Sequence, residues 1–218
     1  MSNTAPVAGL LVLLIGPSGV GKTVLAQMLL TRHPEWVLGK SATTRVRRPS
    51  EGEAFYRFVT EEEFISLKKA GEFLEWANVH NGPPRPDGAI RAGARYGTLR
   101  TDILPALDKG KIVLREIDIQ GLRSIARHTS FHRPDGRYHY RAIFLSPESP
   151  EQLIAHIHKR APMNEEELQR RLASAKREMA SAAQCDATLV SREGKIEATA
   201  DLLEKAILHP PRSEGRSF

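Results

Sequence analysis

A single cysteine, Cys185, stands among 218 residues, so no intrachain disulfide is available and a reducing compartment is expected. None is needed, since a chain of this length buries roughly 70% of its unfolded surface on folding. Long apolar runs are also missing: the stretch 7–15 is far short of the about 20 residues that span a bilayer. No basic residue precedes it, which argues against a secretory signal. The expectation is a cytoplasmic protein with no membrane partner. The net charge is +6, yet there is no long Lys/Arg run; small clusters at 45–48, 159–160 and 170–171 lie far apart. That spacing suits arginines converging on phosphates better than a nucleic-acid-binding arm, so no nucleic-acid partner is expected. An Asn-Lys-x-Asp base-reading motif of GTPases is absent, and there are no internal repeats.

What is present is the order strand, glycine-rich turn, helix. Residues 10–15 read as a strand buried on both faces, and 21–32 as a helix with Val24, Leu25, Met28 and Leu29 at helical spacing. Further buried strands are expected at 112–114 (running on through 115–118), 141–145 and 187–190. Helices are expected at 103–109, 120–127, 150–159, 165–183 and 196–208. This alternation predicts an α/β fold with a parallel sheet flanked by helices. Asn164 is placed to cap the long helix, whose stripe Leu168, Leu172, Ala175 and Met179 is read as core packing. The stretch 40–98 differs in texture, with short alternating segments at 55–59 and 73–79 and a helix announced by Thr60 and Glu63 in capping-box spacing. It reads as a small mixed α+β insertion, with 81–95 an exposed loop and 209–218 a disordered tail.

The turn itself is chemically specific. Gly16, Pro17, Ser18, Gly19, Val20, Gly21, Lys22 and Thr23 form Gly-x-x-x-x-Gly-Lys-Thr between a strand and a helix. Glycines let backbone N–H groups approach phosphate oxygens, and the following helix N-terminus adds positive potential. Lys22 is expected to bridge the β- and γ-phosphates of a nucleoside triphosphate, and the Thr23 hydroxyl to help hold Mg²⁺.

The loop does not by itself identify an acceptor. The series that follows it does more: Ser41 to Arg48, Tyr56, Gly71-Glu72-Phe73-Leu74-Glu75-Trp76, Tyr96-Gly97-Thr98 and Glu116-Ile117-Asp118-Ile119-Gln120-Gly121. In order and approximate spacing it resembles the guanylate kinase family over nearly the whole chain. The resemblance implies a P-loop NTPase-type core at 8–39, 99–150 and 172–208, a nucleoside-monophosphate-binding insertion at 40–98 and a short helical lid at 151–171. It implies ATP and GMP as substrates, with Mg²⁺ as cofactor. It assigns Arg45, Arg48, Tyr56 and Tyr96 to the GMP phosphate, a set of guanidinium forks and phenols suited to a dianion. Ser41, Glu75, Thr98 and Asp118 are assigned to guanine. A carboxylate accepts from N1–H and the 2-amino group, and adenine has no donor at either place. Glu116 and Asp118 join Thr23 on the metal side, and Arg160 and Arg171 join Lys22 in neutralising the transferred phosphoryl.

Taken singly, these residues allow plainer readings. Glu75 could be an exposed strand carboxylate, Tyr56 and Tyr96 half-buried aromatics, and Arg45, Arg48, Arg160 and Arg171 solvated charges. The sequence also departs from the family pattern: Ala54-Phe55 precede Tyr56, His156 stands at a common lid-arginine position, Ala161 replaces a glycine, Ser191 replaces an asparagine, and the loop before Tyr96 is long. Two rival functions are open. A protein-binding module that has lost catalysis would typically have a degraded phosphate loop, which this chain does not. A kinase for another phosphorylated acceptor, such as a ribose bisphosphate, has less reason to keep Glu75 and Ser41.

Overall fold

The structure, a computed structural model, describes residues 9–47, 54–79, 93–131, 136–160 and 165–209; the side chains of 79, 157–160, 165–167 and 170–171 lie outside that description. Strand β1 (Leu10–Ile15) holds only apolar residues, and Leu11 to Leu14 are fully buried, as a strand covered on both faces requires. It is the middle strand of a five-stranded sheet that also contains β2 (Val37–Leu38), β7 (Ile112–Glu116), β8 (His139–Pro147) and β9 (Ala187–Ser191). The order is β2-β7-β1-β8-β9, and the pairs β2–β7 and β8–β9 are parallel. A second sheet has the order β4-β3-β6-β5, built from β3 (Ser41–Thr43), β4 (Tyr56–Phe58), β5 (Phe73–Val79) and β6 (Ala94–Leu99).

The described residues fall into two compact units. One is drawn from Met1–Leu11, Trp36–Arg115 and Gln120–Tyr140, the other from Val12–Glu35, Glu116–Ile119 and Arg141–Phe218. In the first unit, β3 pairs parallel with β4 and antiparallel with β6, and β5 runs antiparallel along the other side of β6. Helix α2 (Glu61–Lys69) starts in the expected capping box: Thr60 Oγ1 accepts from the Glu63 N–H at 3.1 Å, and the Thr60 N–H donates to Glu63 at 2.8 Å. Its Phe64 stacks on Phe73 with ring centroids 4.6 Å apart, over a cluster completed by Ala42 and Leu99. Helix α3 (Arg100–Asp108) begins three residues before the expected start, because the Arg100 N–H and Nε donate to the carbonyls of Glu72 and Gly71. Helix α4 (Ile119–Arg127) follows β7.

In the second unit, helix α1 (Lys22–Arg32) continues the phosphate loop, and helix α7 (Ile196–Leu208) lies against it. At the end of α1, Arg32 reaches Glu197, Asp201 and Glu204 of α7 at 2.8–2.9 Å. Helices α5 (Pro150–Arg160) and α6 (Glu165–Met179) pack through Leu153, Leu168 and Ala175, with Ile154 and Leu172 alongside. This bears out the core reading of the stripe for Leu168, Leu172 and Ala175, whereas Met179 is 37% exposed.

The expected helix over 165–183 stops at Met179. From Ser181 the spacing tightens to three residues: the Ser181 N–H donates to Glu178 and the Gln184 N–H to Ser181, forming a short 3₁₀ turn at Ala182–Gln184. The chain then extends to bury Cys185 and enter β9, where the Asp186 carboxylate accepts from the Ala142 N–H. Strands β2 and β3 were not expected. The loop expected at 81–95 gives way to β6 at Ala94, and residues 81–92 of it lie outside the described residues, as do the Asn164 cap and the tail from 210 onward.

Candidate active site

The phosphate loop owes its shape to glycine. Gly16 has φ +144° and Gly21 +99°, values that a side chain disfavours. A Cβ on Gly16 would also lie 2.2 Å from the carbonyl oxygen of Leu145. Gly21 is the N-cap of α1, and its carbonyl accepts from the Leu25 N–H at 3.0 Å. Lys22 folds back so that its ammonium donates to the carbonyls of Gly16 (2.5 Å) and Pro17 (3.0 Å), which sets its charge over the loop. Ser18, Gly19 and Thr23 are partly exposed, whereas Val20 is buried beneath them.

The carboxylates come from the end of β7. The Ile117 N–H donates to the Leu14 carbonyl at 3.1 Å, fixing Glu116 and Asp118 beside the strand that feeds the loop. Glu116 Oε1 is buried and has no hydrogen-bond partner among the described residues. A third carboxyl, Glu178 of α6, is pushed upward in pKa mainly by desolvation and also by the Asp118 charge, while Lys22, Ser174 and Arg177 pull it down. Lys22, Asp118 and Glu178 therefore share one electrostatic neighbourhood. Above the loop, His156 of α5 sets Nδ1 3.0 Å from the Gly19 carbonyl and Nε2 2.9 Å from Glu193.

In the first unit the register of the sheet assembles a second group. Thr98 of β6 lies opposite Ser41 of β3 on one side and Glu75 of β5 on the other. Directly opposed residues hold their Cβ atoms about 5 Å apart, so three polar side chains meet at one place. All three are buried, Glu75 at 6% exposure, which removes the reading of Glu75 as a solvated strand carboxylate. The Thr98 hydroxyl donates to Glu75 Oε1. Next along the strands, Arg45 donates through Nε to the Tyr96 hydroxyl at 3.0 Å and lies over the Tyr56 ring at 5.1 Å. Tyr56 and Tyr96 meet edge to face at 6.3 Å. A guanidinium and two phenols thus converge near the buried carboxylate.

These two arrangements accompany a strong likeness in sequence. Residues 9–209 match the profile of the family described as guanylate kinase. The chain belongs to the guanylate kinase family. The guanylate kinase of Thermosynechococcus vestitus is 37% identical over 211 residues, 96% of this chain and 99% of the relative. That of Streptomyces kasugaensis is 41% identical over 182 residues, 83% of this chain and 79% of the relative. The crystal structure of guanylate kinase from Anaplasma phagocytophilum aligns with a TM-score of 0.66 at 29% identity, covering 92% of this chain and 85% of that one.

Of the residues that the guanylate kinase resemblance singled out, Ser41, Glu75 and Thr98 form one cluster and Arg45, Tyr56 and Tyr96 an adjoining one. The loop residues Gly16 to Thr23 share the second unit with Glu116 and Asp118. Arg48 lies outside the described residues, and Arg160 and Arg171 are placed only by backbone, at the end of α5 and within α6. Sequence reasoning missed Glu178 and Arg115. Neither sits in a motif, and only tertiary placement brings Glu178 to Lys22 and Arg115 to the Ser41–Glu75–Thr98 cluster. A hard cation fits the carboxylate end of this site. Mg²⁺ takes one or two protein carboxylates and completes its shell with phosphates and water, and Glu116 Oε1 is a buried oxygen with no hydrogen-bond partner among the described residues.

Proposed function

We propose that this guanylate kinase family member transfers the γ-phosphoryl of ATP to GMP, giving ADP and GDP, in the cytoplasm. The observation that carries this reading is the acceptor-side cluster. A buried carboxylate, Glu75, stands beside the Arg45–Tyr56–Tyr96 group on one sheet. A purine monophosphate needs such a pair, one end read by acceptors and the other by cations.

In this reading the backbone N–H groups of Gly16 to Thr23 hold the ATP phosphates, and Lys22 leaves the loop carbonyls to neutralise charge on the transferred group. Arg45, Arg48, Tyr56 and Tyr96 bind the GMP phosphate. Ser41, Glu75, Thr98 and Asp118 read guanine. Arg160 and Arg171 complete the charge neutralisation from a lid at 151–171, with 40–98 as the GMP-binding insertion on a core of 8–39, 99–150 and 172–208. Thr23, Glu116 and Asp118 would hold Mg²⁺, which supplies charge screening between the donor phosphates. The protein's work is then alignment of two anions and exclusion of water.

Release of ADP, measured with ATP and Mg²⁺ over GMP, dGMP, AMP, UMP and a ribose bisphosphate, tests this directly. GMP should give the largest kcat/KM. Absence of GMP-dependent ADP release would sink the reading, and preference for the ribose bisphosphate would move the chain to another acceptor.

A further inference from the structure

Strand β7 is apolar from Ile112 to Leu114, with Val113 and Leu114 buried, and then places an arginine, 3% exposed, where its apolar pattern calls for another aliphatic residue. An unpaired buried guanidinium is costly, so its partners say what it is for. Arg115 Nε donates to Thr98 Oγ1 at 2.7 Å, one terminal nitrogen donates to Ser41 Oγ, and the other lies 3.5 Å from Glu75 Oε1. Those are the three residues of the buried cluster. Gly39 clears the space: a Cβ there would lie 3.3 Å from Arg115 Cδ and 2.4 Å from Ile103.

The arginine carries donors only and a carboxylate acceptors only, which together fix the direction of every bond in the set. The Thr98 oxygen accepts from Arg115, and its hydrogen goes to Glu75. The Ser41 oxygen accepts from Arg115, which occupies one of its two lone pairs and turns its O–H away from the guanidinium toward a ligand. Glu75 accepts from Thr98 and Arg115 and, as a carboxylate, has no hydrogen to donate, so it meets a ligand only as an acceptor. The cluster thus shows a ligand one donor and one anionic acceptor. Guanine presents the complement, a carbonyl oxygen at C6 and the N1–H and N2–H₂ donors. Adenine reverses both, with an amino group at C6 and an acceptor at N1. Without the arginine nothing sets the direction of the Ser41 hydroxyl, which can then turn its lone pairs to an adenine amino group.

We propose that Arg115 is a positioning residue for base specificity: it sets the hydrogen-bond polarity of the Ser41–Glu75–Thr98 pocket to that of guanine. This rests on the reading of the pocket as the GMP base site. Lysine at 115 keeps the charge but not the planar fork that reaches both hydroxyls at once. In R115K the KM for GMP should rise about tenfold, with kcat and the KM for ATP within threefold of wild type. The GMP/AMP ratio of kcat/KM should fall by a similar factor, a change that looser folding alone would not produce. R115M should act in the same direction and more strongly, and if it does not fold, R115K decides. A rise of less than threefold in the KM for GMP with an unchanged GMP/AMP ratio overturns the proposal. Failure of R115K to fold also overturns it, since the arginine would then be a structural element. Calorimetric binding of GMP and AMP to wild type and R115K reads the same discrimination without turnover. A wild type that binds GMP over AMP but releases no ADP would sink the kinase reading and leave the arginine's role measurable.

Discussion

The phosphate loop and the Ser41–Glu75–Thr98 cluster are built from different materials. The loop is backbone: its shape rests on glycine conformations and on one lysine held by the loop's own carbonyls. The cluster is side chain: Ser41, Glu75, Thr98 and Arg115 come from four strands, and none of their bonds to one another is local in sequence. A backbone site survives change in the residues around it but not in its glycines. A side-chain site survives change in any one strand's backbone sequence but not in the register between strands.

Substitutions that strike one region and spare the other sharpen this contrast. The largest effect is expected from Lys22→Ala, which should cost about a thousandfold in kcat, the worth of one preorganised charge. GMP binding measured by calorimetry should stay within about tenfold. A folded variant that loses GMP binding would show that the two regions are not separable. Next, Gly16→Ala forces a Cβ toward the Leu145 carbonyl at an unfavourable φ. A loss of about 3 kcal/mol in denaturant unfolding is expected, together with lost ATP binding. Ordinary stability in this variant would mean that the loop can take up another shape. On the other side, Glu75→Gln should lower the GMP/AMP ratio of kcat/KM more than tenfold, because an amide cannot accept as a carboxylate does. An unchanged ratio would place base reading elsewhere.

The smallest effect concerns a group in neither region. Burial pushes the Cys185 thiol up to about 12. The unfolded chain loses that proton first, so its contribution to stability is complete below about pH 9 and declines at about 1.4 kcal/mol per pH unit as pH rises toward 12. Cys185→Ala should flatten part of the alkaline fall in stability. At pH 8 the native thiol should react with an alkylating reagent only as fast as opening exposes it.

The same contrast governs what could be read from the sequence. The strand, loop and helix at 10–32, the capping box at Thr60 and Glu63, and helix 196–208 are specified by neighbouring residues, and they were legible. Strands β2 and β3 are two and three residues long, and pairing rather than composition makes them strands. The helix over 165–183 was read too long because small residues at 180–183 suit a helix, whereas the burial of Cys185 decides where it ends. Arg115 read as the continuation of an apolar strand, and nothing in its neighbours announces three partners at positions 41, 75 and 98. Glu75 was picked out only through its resemblance to a family pattern, and its burial was not visible in Leu74 or Trp76.

The grip of Arg32 on Glu197, Asp201 and Glu204 has a consequence for how the protein is made. The helix that carries the phosphate loop leaves a ribosome well before α7 does, because its acidic partners are 165–172 residues behind it. At about 5–20 residues per second, that is a wait of about ten to thirty seconds. Through that interval α1 has its own hydrogen bonds but not the helix that lies along it in the finished fold. A nascent chain halted before residue 196 therefore carries every residue of the nucleotide loop on a helix that still lacks its final support.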